Sequence, residues 1–365
     1  ATETLTLITP ASSSRICGTI TVEAVAGGDA ASVVFGYEYP QGSGTWTGIG
    51  TDTSSENGWT GTWTTGVSGT YNVRAVSYNV SGSMLASDVN YNVVVDNDAP
   101  AIGVSVAGIV GGPKVATITA TGVSGDVVQV VFEYSSGAGT YTIGVDTTSP
   151  FNTSWNTSNM IDGTYTVLAT AIDLVGLSSQ ASTTTRVDNT APVFGVDYPT
   201  EWAQVKGAAV SIRFNGTDAT TQIAGTPSVS IDGGVYTAAS VWSNGMGTYS
   251  TTLSDGEHTV KICGTDTAGN TGYSREMHFK ADATVPALSI TAAPSPASGS
   301  VRISVAASEE LTGTPIVSVT QAGTAAVSVS MAAQTGYSRQ YIGTYTVVSG
   351  FDGTAVITAT GTDMA

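Results

Sequence analysis

The stretch Asp162-Gly163-Thr164-Tyr165-Thr166-Val167-Leu168-Ala169-Thr170-Ala171-Ile172-Asp173-Leu174-Val175-Gly176 reads as one strand between two turns. From Tyr165 to Ala171 apolar side chains recur with period two, as in a strand that buries one face, and not with the 3.6-residue period of a helix. Asp162-Gly163 before the strand and Asp173 through Gly176 after it are turn residues: aspartate bonds its own backbone, and glycine reaches left-handed conformations.

The same pattern recurs along the chain. Ser68-Gly69-Thr70-Tyr71, Asp255-Gly256-Glu257-His258 and Asp352-Gly353-Thr354-Ala355 repeat the opening turn, and the four glycines are spaced 94, 93 and 97 residues apart. The closing turn recurs as Asn79-Val80-Ser81-Gly82, Asp266-Thr267-Ala268-Gly269 and Asp363-Met364-Ala365. A third marker ends in proline: Val95-Asp96-Asn97-Asp98-Ala99-Pro100, Val187-Asp188-Asn189-Thr190-Ala191-Pro192 and Ala281-Asp282-Ala283-Thr284-Val285-Pro286. Fixed spacing of this kind marks an internal repeat, here of about 93 residues.

Other segments share the two-residue period, among them Gly18 to Val25, Val115 to Ala120 and Val301 to Val305. They are short, rich in Val, Thr, Ile and Tyr, and bounded by Gly, Asp, Asn or Pro, which predicts antiparallel sandwiches. The expected fold is all-β: four tandem immunoglobulin-like β-sandwich domains in an elongated array, over 1–97, 98–190, 191–284 and 285–365. The fourth is expected to lack its final strand, because repeat 3 runs 20 residues from Asp266 to Pro286 while only two residues follow Asp363. Either a longer array or a neighbour's strand would complete it. Thr4 to Thr9 alternates well enough to be such a donor, although repeat 1 needs it as its own first strand.

Composition narrows the function. With 11 Lys+Arg against 28 Asp+Glu, a net charge of −17 opposes binding to nucleic acid or an anionic membrane surface. Ser and Thr make up 98 of 365 residues and Gly 44, but 41% hydrophobic content supports folded cores. No apolar run is long enough for a membrane span, and a signal peptide is expected to have been removed already. Cys17, Cys263, His258 and His278 have no zinc spacing, and the two cysteines are expected as buried free thiols.

The run Val130-Val131-Phe132-Glu133-Tyr134, then Thr148 to Trp155, Asp162 to Tyr165, Asp173 and Val187 to Pro192, resembles the bacterial Ig-like repeats of large secreted surface proteins. Gly264-Thr265-Asp266-Thr267-Ala268-Gly269-Asn270 resembles them too. The resemblance covers essentially the whole chain and implies an extracellular, cell-surface role, as in adhesin stalks, surface layers, filaments and accessory modules of extracellular enzymes. Asn79 in place of Asp, and Ala355 in place of Tyr, depart from the pattern.

An Ig-like topology puts the turn before the last strand at the same pole as the domain's entry linker. Asp173 is then expected beside Asp96, Asn97 and Asp98, Asp266 beside Asp188 and Asn189, and Asp363 beside Asp282. Such oxygens suit Ca2+, which takes about six to eight hard ligands in flexible geometry, and the linkers resemble the acidic junctions of cadherins. The plainer reading is that these residues only shape turns.

Trp63 and Trp155 recur before the Gly-Thr-Tyr marker and read as core, and Tyr71 and Tyr165 as tyrosine corners. Trp46, Trp59, Trp202 and Trp242 do not recur and leave room for a glycan ligand. No catalytic residues are expected: there is no nucleophile elbow, P-loop or His-Glu-x-x-His, and Glu309-Glu310 reads as a solvated turn. An isopeptide bond is not expected from Lys114, Lys206, Lys261 or Lys280. Asn79, Asn152, Asn156 and Asn215 stand in glycosylation sequons. The function read from these features is structural: a subunit of a surface layer or extracellular filament, with copies of itself as partners. The alternatives are a stalk or sugar-binding module of an adhesin and a non-catalytic region of an extracellular enzyme.

Overall fold

The computed structural model describes residues 3–112 and 114–364. Every regular element among them is a strand. The chain divides into two compact units, Ala1–Asn189 and Thr190–Ala365.

In the first unit, Leu5–Thr9, Thr19–Ala26 and Trp59–Thr64 form one sheet. Arg15–Ile16, Met84–Val95, Gly69–Tyr78, Ser32–Glu38 and Trp46–Asp52, in that order, form the other. Val22, Phe35, Trp63, Tyr71, Val73 and Val93 from both sheets meet in one core. Leu5–Thr9 pairs antiparallel with Thr19–Ala26 and so serves its own sandwich rather than a neighbour. A second core holds Ile118, Phe132, Trp155, Tyr165 and Val167. It lies between the sheet of Asn152–Asn156, Val115–Thr121 and Gly103–Ser105 and the sheet of Ile109–Gly111, Ser178–Asp188, Gly163–Asp173, Val127–Ser135 and Thr140–Asp146. Along Gly163–Asp173 the residues Tyr165, Val167, Ala169, Ala171 and Asp173 are all buried, and those between them are not. Each fully buried Val, Ile or Phe contributes about 1.5–3 kcal/mol, so the alternation fixes which face points inward.

The second unit repeats the plan. One core centres on Ile212, Phe214, Ile262 and Phe279, the other on Ile303, Val305, Val317, Val319 and Tyr341. In three of the sandwiches the chain crosses from one sheet to the other early and adds a short parallel strand to the final one: Arg15–Ile16 beside Val94 and Val95, Ile109–Gly111 beside Arg186 to Asp188, and Ala203–Lys206 beside Phe279 to Asp282. This crossover brings Arg15 to the end of the strand that Asp96 follows.

Ala355–Thr360 pairs with Ile316–Gln321 on one side, and among the described residues no strand pairs its other edge. Met84–Val95, Ser178–Asp188 and Met277–Asp282 occupy that place in the other sandwiches. Between the fourth pair of sheets lies a cavity of about 430 Å³ lined by Val301, Ile303, Val319, Tyr345 and Ile357, among others.

Candidate functional site: acidic junctions and turns

The turn aspartates first satisfy their own backbone. Asp173 Oδ1 accepts the N–H groups of Val175 and Leu177, both at 2.9 Å. Asp266 Oδ1 accepts those of Ala268 and Asn270 at 2.8 and 2.9 Å, and its Oδ2 accepts the Asn270 amide at 2.8 Å. Asn79 plays the same part in the first sandwich, accepting from Ser81 and Ser83. Asp173 differs in one respect: its Oδ2 is buried without a hydrogen-bond donor.

Around it a charged junction forms within the first unit. Arg15 Nη1 lies 3.5 Å from Asp96 Oδ2 and 4.0 Å from Asp126 Oδ2. The Asp126 carbonyl accepts the Leu174 N–H at 3.2 Å, and the Cys17 thiol reaches the Val175 carbonyl at 3.7 Å. Burial raises the Asp96 carboxyl above its ordinary range; sharing a hydrogen bond with Asp126 and the charges of Asp126 and Asp173 push the same way, against the Asp98 N–H. The charge of Asp173 thus acts on Asp96. Asp126 was not read from the sequence. Its only signal is its place 30 residues after Asp96, matched by Asp218 after Asp188 and, at 27 residues, by Glu309 after Asp282.

The linker asparagines face inward to their own sandwich. Asn97 Oδ1 accepts the Gly18 N–H at 2.8 Å and its Nδ2 donates to the Gly66 carbonyl at 2.6 Å. Asn189 donates to the Thr157 and Met160 carbonyls and accepts the Lys114 ammonium at 3.1 Å. That lysine is half-buried and hydrogen-bonded to two acceptors of Asn189. Asp98 is exposed, and Asp188 ends its strand fully buried.

In the second unit, Asp218 Oδ1 accepts the Thr220 and Thr221 N–H groups, while its Oδ2 is buried without a donor. A carboxylate oxygen of Asp218 lies within 4.8 Å of one of Asp266. Further along, Glu309 is not the solvated turn residue expected. It is half-buried, and its Oε1 is shielded without a donor. Burial raises its carboxyl, and the charges of Asp282, Asp363 and Asp255 add to that against Lys280. Asp282 and Asp363 thus both act on Glu309, a residue expected in solvent.

The corner residues hold the turns. Tyr71 Oη donates to the Val67 carbonyl and Tyr165 Oη to that of Ile161, both at 2.8 Å. His258 takes this position in the third sandwich: Nε2 lies 2.9 Å from the Ser254 carbonyl and Nδ1 2.8 Å from Asp232 Oδ2. Burial would lower His258, but the Asp232 carboxylate and the Ser254 carbonyl prevail and raise it.

Trp63 and Trp155 are buried as expected, at 3% each. Of the four non-recurring tryptophans, Trp59 is core, Trp46 is covered by Arg74 and Trp242 stacks on Phe214. Trp202 is 63% exposed. Cys17 and Cys263 are free thiols but half-buried rather than buried. Asn152 and Asn156 are exposed at the two ends of one strand, whereas Asn79 and Asn215 are half-buried.

No protein family and no curated protein sequence matches the chain. Solved structures do. The tetra-tandem repeat in the extending region of a large adhesion protein is 19% identical, covering 100% of this chain and 92% of that one, with a TM-score of 0.34. Fibronectin(III)-like modules of CbhA from Clostridium thermocellum are also 19% identical, covering 50% of this chain and 94% of theirs, at 0.31. Domains A168–A170 of titin are 15% identical, covering 77% and 96%, at 0.30. No helix in the described residues is long and apolar enough to cross a membrane. The paired sheets and their early crossover make the chain, by fold, a tandem of immunoglobulin-like or fibronectin III-like β-sandwiches.

Proposed function

We propose that the chain is an architectural protein of the cell exterior, a subunit of a surface layer or extracellular filament built from repeats of the bacterial Ig-like kind. The observation that carries this reading is the junction inside the first unit. There Arg15 of one sandwich reaches both its own Asp96 and Asp126 of the next, and Cys17 touches the turn after Asp173. Polar side chains that elsewhere build reactive centres here tie one sandwich to another. A segment that passes load along a chain needs such ties, because short linkers alone leave the angle between domains free.

Calcium belongs to the same reading. Where Arg15 is present, a guanidinium supplies positive charge among the carboxylates. Around Glu309, Asp282 and Asp363 the counter-charge is Lys280 alone among the groups that act on Glu309. Donor-free buried oxygens of Asp173, Asp218 and Glu309 are the hard ligands that Ca2+ selects. A bound ion stabilises the folded state by mass action, about 2.7 kcal/mol at a hundredfold excess over its dissociation constant. Calorimetry in Ca2+ and in chelator tests this: a higher melting temperature in Ca2+ is expected, lost in Glu309→Gln, and identical melting in both buffers contradicts it.

A further inference from the structure

Trp202 breaks a local rule. Its φ is 60°, in the left-handed region that favours glycine, and its indole stands 63% exposed. Holding a bulky residue there strains the backbone, and such outliers persist where the surroundings over-determine them. The turn itself does not call for an indole. The corresponding turn of the first sandwich is made by Ser13 at φ 61°, whose N–H donates to the Tyr91 carbonyl as the Trp202 N–H donates to that of His278.

What the ring gains is a braced position. Trp202 stacks on His278 with centroids 4.9 Å apart and planes 16° from parallel. His278 Nδ1 lies 3.1 Å from Glu201 Oε1; a carboxylate only accepts, so Nδ1 carries the proton and the imidazole is oriented. Glu201 Oε2 in turn accepts Arg275 Nη2 at 2.8 Å, and Glu276 Oε1 stands 4.0 Å from His278 Nε2. One indole face is backed, the rest of the ring is open, and a guanidinium 73% exposed stands in the same network.

We propose that this Trp202 platform binds a neutral pyranose chain, one sugar ring stacking its C–H face on the open indole while Arg275 and Glu276 engage hydroxyls. A flat, rigid, partly apolar surface with polar groups beside it is what a sugar ring matches: apolar on its faces, hydroxylated at its rim. The charge of −17 disfavours anionic glycans.

Affinity electrophoresis of the full chain in gels containing barley mixed-linkage β-glucan, and tryptophan-fluorescence titration with chitohexaose, test the site. Retardation or a fluorescence change is expected with at least one probe. Trp202→Ser, which installs the residue the first sandwich uses at this turn, should weaken it by about tenfold or more, and Trp202→Phe should retain part of it. The melting temperature of each variant separates lost binding from lost folding. No response of the wild type to either probe, or equal responses of wild type and folded Trp202→Ser, overturns the proposal.

Discussion

His258 shows how one position of the repeat can be filled by different chemistry. The corner needs a donor that reaches a carbonyl four residues back; Tyr71 and Tyr165 supply a phenol, kept protonated because burial pushes both phenols up. His258 supplies an imidazole and gains Asp232 as a second partner. Because its folded value is raised, the stability it adds is fully present below the ordinary imidazole pKa, about 6.5, and is lost as pH rises through the folded value. The second unit is therefore expected to melt at a lower temperature at pH 8.5 than at pH 6 through this group. In His258→Tyr that difference should vanish, as followed by calorimetry across pH. An unchanged pH slope in the variant would assign the effect elsewhere.

At the scale of elements, close approach matters as much as pattern. Gly272, in the short strand Thr271–Tyr273, lies where an added Cβ would overlap the carbonyl oxygen of Pro192. Gly272→Ala must push the entry segment off this strand, and overpacking of that kind costs about 1–3 kcal/mol. Urea unfolding of the variant should show it; a loss under half a kilocalorie would mean the segment yields freely. Much of the element plan was legible in the sequence. Alternation along Tyr165 to Ala171 identifies the buried face because burial itself has period two on a strand. Asp126 and Glu309 were not legible. They sit in connecting loops with no periodicity, and their neighbours lie about 27 to 111 residues away in the chain. Trp59, a core residue, and Trp202, an exposed one, were likewise indistinguishable by composition; only the turn geometry at Trp202 separates them.

For the molecule as a whole, the recurring polar residues of the repeat serve its structure. The turn aspartates Asp173 and Asp266, the corner residues and the linker asparagines are each engaged in holding strands or turns together. A subunit of a surface layer or filament, as proposed, should associate with copies of itself. Electron microscopy of the purified chain, concentrated in the presence of Ca2+, is the direct measurement. Ordered sheets or fibres with a constant repeat are expected; a field of separate single particles at every concentration and ion condition would contradict the account.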